Sequence, residues 1–450
     1  MSSERLSFPD GFLWGVATAA HQVEGGNFNN QWWQWEQQGK LHVPDTARVC
    51  LDWWHHAEAD FDRAKALGLN ALRLSVEWSR IEPRPREFDA VAIARYRQLL
   101  EGLKARGLTP MVTLHHFTNP LWFEERGGWL HDAAPGLFAR FVRKVVEELG
   151  DLCDFWCTIN EPNIYALTGW VLGDFPPGGQ GDVPGALKVL GQLIRAHGVA
   201  YTVIHRLQPH ARVGWAQNFN TFDPEHRLSP LDVAVTHVRD LLVNDLVPRA
   251  IVTGDVPLPL SLLTGDVGEA RGTFDYVGLN TYYRDLVRFD PTQPGELFGK
   301  NVPAPGAPRS DQPVTGTGWG EVYPQGIARV ADELKKANKP FYVTESGVAD
   351  HADRLRPWVL AKAAKAMHDA LGRGADVRGY FHWTLVDNFE WAEGFSTRFG
   401  LFALDVPTQR RTARPSAELY GRMARANGVT TELLAPFGDE VVRAAFPSRE

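Results

Sequence analysis

The sequence predicts a single (β/α)8 TIM barrel with long βα loops around its mouth, and three observations predict it. Eight short apolar runs alternate strictly with eight segments of helical period. No glycine-rich phosphate turn follows the first run, as an open doubly wound sheet would normally show. Nearly every run ends in residues that hydrogen-bond or titrate, which is where a barrel of this kind gathers its functional groups. The chain has 450 residues. At roughly 150 residues per domain that length suggests three units, but such barrels routinely exceed 250 residues as one domain. The expectation is therefore one domain over residues 1–450, with 428–450 a tail packed on the outside.

The strand-like runs are residues 12–18, 71–77, 110–115, 155–160, 212–218, 276–282, 341–345 and 379–385. Each is short and rich in β-branched or aromatic residues, as a parallel strand buried on both faces should be. The helical segments are 55–67, 92–106, 137–149, 186–207, 231–252, 325–337, 358–371 and 416–426. In the second of them Ile93, Tyr96, Leu99, Leu100 and Leu103 recur at steps of three and four, the stripe of an amphipathic helix. Gly68, Gly107, Gly150 and Gly372 stand where left-handed C-caps are expected. The alternation demands a parallel sheet with helical crossovers, and eight units close a barrel. Residues 284–324 carry seven prolines and six glycines and read as a long loop over one barrel mouth.

Composition narrows the class. Hydrophobic residues make up 44% and charged residues 22%, which excludes extensive disorder. Net charge is −7 with no basic block, which argues against nucleic acid as a partner. No apolar run has the length of a membrane span. The polar N-terminus carries no signal-peptide pattern. Cys50, Cys153 and Cys157 are too few and too scattered for a disulfide framework, so a cytoplasmic protein is expected. Sixteen tryptophans suit either a Trp-rich core or a site that stacks flat, partly apolar ligands.

The strand ends carry the chemistry. In order they offer His21-Gln22, Arg73 with Glu77, His115-His116, Asn160-Glu161, Asn218, Asn280 with Tyr282, Glu345, and Trp383 with Asp387 and Asn388. Glu161 and Glu345 each follow an apolar strand, on strands four and seven, roughly across the barrel from each other. Two such carboxyl groups are what glycoside hydrolysis requires, one protonated and one ionised. Either glutamate alone is also what a salt-bridged strand end near Arg73 looks like; the pair is harder to explain that way. Asn160 is placed to hydrogen-bond a sugar 2-hydroxyl. His55-His56 and His115-His116 are adjacent pairs whose members point to opposite faces, and no zinc spacing occurs. The absence of Gly-x-Ser-x-Gly argues against a serine hydrolase.

At this point the residues resemble the family 1 glycoside hydrolases, the β-glucosidases, β-galactosidases and their relatives, from Phe8 to about Gly421. The stretch Phe12-Leu13-Trp14-Gly15-Val16-Ala17-Thr18-Ala19-Ala20-His21-Gln22-Val23-Glu24-Gly25 looks like the family's N-terminal signature. Thr158-Ile159-Asn160-Glu161-Pro162 resembles its acid/base motif, Tyr342-Val343-Thr344-Glu345-Ser346-Gly347 its nucleophile motif, and Asp387-Asn388-Phe389-Glu390-Trp391 its sugar-binding loop. The resemblance implies retaining hydrolysis by double displacement, with Glu161 the general acid/base and Glu345 the nucleophile. It implies that Gln22, His116, Asn160, Glu390 and Trp391 hydrogen-bond the sugar. Trp383 would lie beneath the ring, Phe399 would be a further wall, and Trp319 would stand on the leaving-group side. Tyr282, Arg73 and Asn280 would support the nucleophile. Unphosphorylated β-glucosides, β-galactosides, β-fucosides or oligosaccharides are the implied substrates, with no metal and no organic cofactor. Homo-oligomerisation stays open. A transglycosidase would use the same two carboxyl groups, whereas a non-catalytic sugar-binding barrel would be expected to lack one of them. The chain departs from the family pattern at His21, at 84–89, at Thr118-Asn119 and at Gly320, which bears on the leaving group rather than on the two glutamates.

Overall fold

The structure, a computed structural model, describes residues 4–293, 296–310 and 320–447. Eight parallel strands close into a barrel: β1 (Leu13–Ala17), β2 (Ala71–Ser75), β3 (Thr109–His115), β4 (Phe155–Asn160), β5 (Arg212–Asn218), β6 (Tyr276–Asn280), β7 (Phe341–Ser346) and β8 (Val377–Trp383). Each pairs with its neighbours in chain order, and β8 returns to β1 through Gly379↔Leu13 to Trp383↔Ala17. The crossover helices are α1 (Trp53–Ala66), α2 (Ala90–Ala105), α3 (Ala134–Leu149), α4 (Val183–Leu207), α5 (Pro230–Asp240), α6 (Gly326–Leu334), α7 (Arg356–Gly372) and α8 (Pro415–Ala426). No helix among the described residues is long and apolar enough to cross a membrane.

The expected strands 71–77, 276–282 and 379–385 run past the ladders at their C-terminal ends. Val76, Thr281 and Leu385 are buried; Val76 N still donates to Thr113 O at 3.1 Å and Thr281 N to Glu345 O at 3.0 Å, whereas Leu385 O accepts from Phe402 N at 2.9 Å, outside the barrel. The expected helix 231–252 is continuous only through a π-helical turn, Leu241–Asp245, which joins α5 to Leu246–Thr253. Gly68 and Gly107 take left-handed φ of 85° and 69° after α1 and α2, as C-caps do. Gly150 and Gly372 do not: Gly150 stays right-handed at φ −68°, and Gly374, at φ 82°, makes the turn after α7.

Residues 284–324 are not a plain loop. Tyr283–Phe289 lies at the centre of a four-stranded sheet, pairing with Thr221–Pro224, Gly299–Val302 and Glu321–Val322. Pleating supplies the backbone partners that a structureless cover of this length would lack. Trp319 lies outside the described residues. At the other end of the chain, Gly428–Thr430 pairs antiparallel with Arg5–Ser7, and the helix Asp439–Ala445 packs against α7. The tail therefore has secondary structure of its own.

Most tryptophans are core. Trp14, Trp53, Trp78, Trp129 and Trp156 are buried, and each indole N–H donates to a side-chain oxygen at 2.8–3.1 Å, which removes the penalty of burying it. Trp383 and Trp391 are the buried ones that line the mouth cavity.

One buried ion pair fastens the loop after β8. Arg414 donates from Nη1 and Nη2 to the two oxygens of Asp387 at 2.9 and 2.8 Å, and Asp387 also accepts from Gly400 N at 2.8 Å. Both side chains are buried, so removing one partner strands the other charge. Arg414→Met should therefore lower the unfolding free energy in urea by about 3–5 kcal/mol. The double change Arg414→Met with Asp387→Leu should be markedly less damaging. A single-variant loss below about 1 kcal/mol would show that the pair does not hold this loop.

Candidate active site

The C-terminal ends of the strands converge on one cavity of about 660 Å3. Glu161, Glu345, His116, Asn160, Tyr282, Trp383, Glu390, Trp391 and Phe399 all line it. Gln22, Arg73 and Asn280 stand one layer behind. Gln22 donates to Glu390 Oε2 at 3.2 Å and to the Phe389 carbonyl at 2.8 Å. The structure thus brings together every site residue expected from the sequence that lies among the described residues.

Glu161 ends β4 and begins a short helix with Pro162 at its first turn. Its backbone is left-handed, φ 44° and ψ 58°, an uncommon state for a residue with a Cβ. The surrounding frame holds that conformation: its N–H donates to Ala216 O at 2.7 Å. The carboxyl Oε1 accepts from Asn218 Nδ2 at 2.9 Å and Asn280 Nδ2 at 2.8 Å. Oε1 is the acceptor in both bonds, which leaves Oε2 as the position for a proton. Burial pushes Glu161 up to about 7; the charge of Glu345 pushes the same way, against the two amide hydrogen bonds.

Glu345, on β7, has the opposite surroundings. Its Oε1 is ion-paired with Arg73 Nη1 and its Oε2 accepts from Tyr282 Oη at 2.8 Å. Burial holds Glu345 above the usual carboxylate range, and Arg73 and Tyr282 pull it only part of the way back. Arg73 is fully buried. It also donates to Thr113 Oγ1 at 3.0 Å and to Asn160 Oδ1 at 2.7 Å. Asn280 joins the two halves, donating to Asn160 Oδ1 at 3.1 Å as well as to Glu161, while its own Oδ1 accepts from Thr344 Oγ1 at 2.7 Å.

The opposite wall is a stack of rings. His21 lies against Trp391 with centroids 5.9 Å apart and planes 11° apart; His116 lies against Trp391 at 5.9 Å and 17°, and against Trp383 at 6.1 Å and 20°. Burial drives His21 down to about 3 and His116 well below the usual histidine range, so both are neutral flat rings at pH 7. Asn160 Nδ2 lies 3.1 Å from His116 Nε2, so Nε2 accepts and Nδ1 carries the hydrogen. Glu390 is pushed up to about 8, chiefly by burial. The charges of Glu345 and Glu161 push the same way, against the hydrogen bonds from Trp383 and Gln22.

Sequence reasoning missed the outer rim. His42, Asp174 and Glu393 line the mouth, with His42 Nδ1 2.7 Å from Glu393 and Nε2 3.8 Å from Asp174. His42 and Asp174 lie in loops and Glu393 in a single 3-10 turn, Trp391–Glu393, so no period marked them. Seven Asp or Glu residues line the cavity and no Lys or Arg does, among the described residues. Glu225, His226 and Asp232 also come together, but Asp232 is engaged as a structural acceptor for Phe289 N at 2.9 Å and His226 Nδ1 at 3.0 Å.

The chain is similar to characterised proteins over nearly its whole length. It is 31% identical to beta-glucosidase A of Thermotoga maritima over 94% of this chain and 98% of that one. It is 31% identical to a beta-galactosidase of Pyrococcus woesei over 95% and 98%. The solved beta-glycosidase from Pyrococcus horikoshii superposes with a TM-score of 0.85 at 34% identity, covering 97% of this chain and 99% of that one. The model of glycosyl hydrolase family 1 matches residues 4–429, and with the barrel and the two-carboxyl cavity in place the chain belongs to that family.

Proposed function

We propose that this family 1 β-glycosidase hydrolyses unphosphorylated β-glucosides, β-galactosides or β-fucosides with retention, through a covalent glycosyl-enzyme. The observation that carries this reading is the contrast between the two carboxyl groups of one cavity. Glu161, raised to about 7, can hold a proton at neutral pH. Glu345, ion-paired to Arg73 and hydrogen-bonded by Tyr282, is supported as the anion. Environments that push two titratable groups apart assign the acid and the base.

In the first step Glu345 attacks the anomeric carbon while the Glu161 proton passes to the departing oxygen. The glycosyl ester removes the charge on Glu345. The repulsion that raises Glu161 then vanishes, its pKa falls, and it takes a proton from the incoming water. In this reading His116, Asn160, Glu390 and Trp391 hold the sugar hydroxyls, Gln22 orients Glu390, Trp383 lies under the ring, and Phe399 closes the side. A phosphorylated sugar is disfavoured because the acid-rich lining offers it no described cation. Relatives named beta-glucosidase and beta-galactosidase support both configurations at the ring. The whole chain acts here as one catalytic domain in the cytoplasm.

Anomeric rescue tests the roles. Glu345→Gly should lose hydrolysis almost wholly, with azide restoring turnover to an inverted product. Glu161→Ala should keep fast first-step chemistry on aryl glycosides with good leaving groups, then stall until azide yields a retained product. Rescue products of the same anomer from both variants would overturn the assignment.

The pH profile tests the acid separately. The alkaline limb of kcat/KM should fall near pH 7, where Glu161 loses its proton in the free enzyme. Asn218 stabilises the carboxylate form, so its removal raises the pKa. Asn218→Ala should therefore move the alkaline limb to higher pH. A limb that moved lower or stayed in place would exclude Glu161 as the group that titrates there.

A further inference from the structure

The cavity holding the two glutamates has an apolar neighbour. A chamber of about 220 Å3 adjoins it, walled by Val183, Ala186, Leu187 and Leu190 of α4, by Phe222, and by Leu242. Ile164, Leu167 and Leu172 line both spaces and form the partition between them. None of the three is fully buried, and Leu172 is 39% exposed, so the partition is side chain rather than packed core. Asn218, the donor to Glu161 Oε1, also lines both. The chamber therefore lies on the Glu161 side of the site.

Its chemistry selects an apolar occupant. The polar groups at its border are largely engaged with one another. Asn163 Nδ2 donates to Asn218 O and Val243 O, both at 2.9 Å. Asn220 Nδ2 donates to Asp285 Oδ2 at 2.9 Å, and Arg239 pairs with Glu296 at 3.2 Å. Asn163 Oδ1 keeps no partner among the described residues, enough for one hydroxyl but not for a sugar ring. Buried hydroxyls without partners are penalised, and an apolar space of this size gives water little to bond. The π-helical turns Leu167–Leu172 and Leu241–Asp245 both border this chamber. Such turns are rare and frequently accompany functional sites.

We propose that the chamber takes the tail of an apolar aglycone, a flexible alkyl or isoprenoid chain attached to the leaving oxygen, rather than a second sugar. This rests on the reading of Glu161 as the acid, because the leaving group departs on the side from which it is protonated. The tail passes between Ile164, Leu167 and Leu172 and packs against α4.

The test is kcat/KM for methyl, butyl, hexyl and octyl β-glucosides, with cellobiose and p-nitrophenyl β-glucoside alongside. The wild type should gain up to about fourfold per added methylene until the chain outruns the chamber, and should favour the hexyl glucoside over cellobiose. Ala186→Phe fills the chamber without touching the glutamates. It should flatten the chain-length series and leave the methyl and p-nitrophenyl glucosides unchanged. Leu242→Phe, at a partly buried position, is the second filling variant should the first fold poorly. A flat wild-type series, a preference for cellobiose, or variants with the wild-type slope would overturn the proposal while leaving the glycosidase reading intact. Wild-type protein without activity on p-nitrophenyl β-glucoside and β-galactoside would sink that underlying reading instead.

Discussion

A fully buried guanidinium sits at the centre of this barrel, and much of the site depends on satisfying it. Arg73 leaves β2 and reaches Thr113 on β3, Asn160 on β4 and Glu345 on β7. An arginine cannot escape burial by losing its proton, so its donors need acceptors inside the barrel. The planar fork fixes where those acceptors stand. Glu345 and Asn160 are thereby set relative to each other by one rigid group. Asn280 extends the same order to Glu161. Five strands are registered by this network as well as by their backbone ladders.

The same burial governs the titrations. A cavity that holds Glu161, Glu345 and Glu390 with one guanidinium behind them cannot keep every one of the three ionised at low cost. The group beside Arg73 has the best compensation, while Glu161 and Glu390, held only by neutral donors, move up to about 7 and 8. Neutral His21 and His116 follow from the same desolvation and supply flat, uncharged faces to Trp391 and Trp383. The raised Glu161 and the neutral ring wall thus share one main cause, removal from water.

The loops set what else enters. The sheet built around Tyr283–Phe289 gives the region after β6 a hydrogen-bonded backbone, and the Arg414–Asp387 pair fastens the loop that carries Glu390 and Trp391. Precision around Glu161, Glu345 and Glu390 therefore comes from buried charge pairs and strand ends. The other end is bounded by leucines on a π-helical turn, a surface that discriminates by shape and apolarity rather than by hydrogen bonds.

Much of this was legible in the sequence. Strand and helix periods placed all eight units because buried parallel strands and amphipathic helices leave distinct patterns, and the strand-end residues, Glu161 and Glu345 among them, were visible as polar interruptions of apolar runs. The reading failed where pattern is local but the cause is not. Leu385 looks like barrel strand yet bonds Phe402 outside the barrel. Gly150 looks like a left-handed cap yet stays helical. Residues 284–324 look like loop, yet their ladder partners include Thr221–Pro224, far away in the chain. The sequence by itself determined the barrel, its eight units and the two glutamates that end strands four and seven. Only the tertiary structure decided that Glu390 is driven up with Glu161, that His42, Asp174 and Glu393 share the rim, and that an apolar chamber lies beside Glu161. Proton affinity and cavity shape depend on which groups meet after closure, and periodicity along a chain carries no information about neighbours across a barrel.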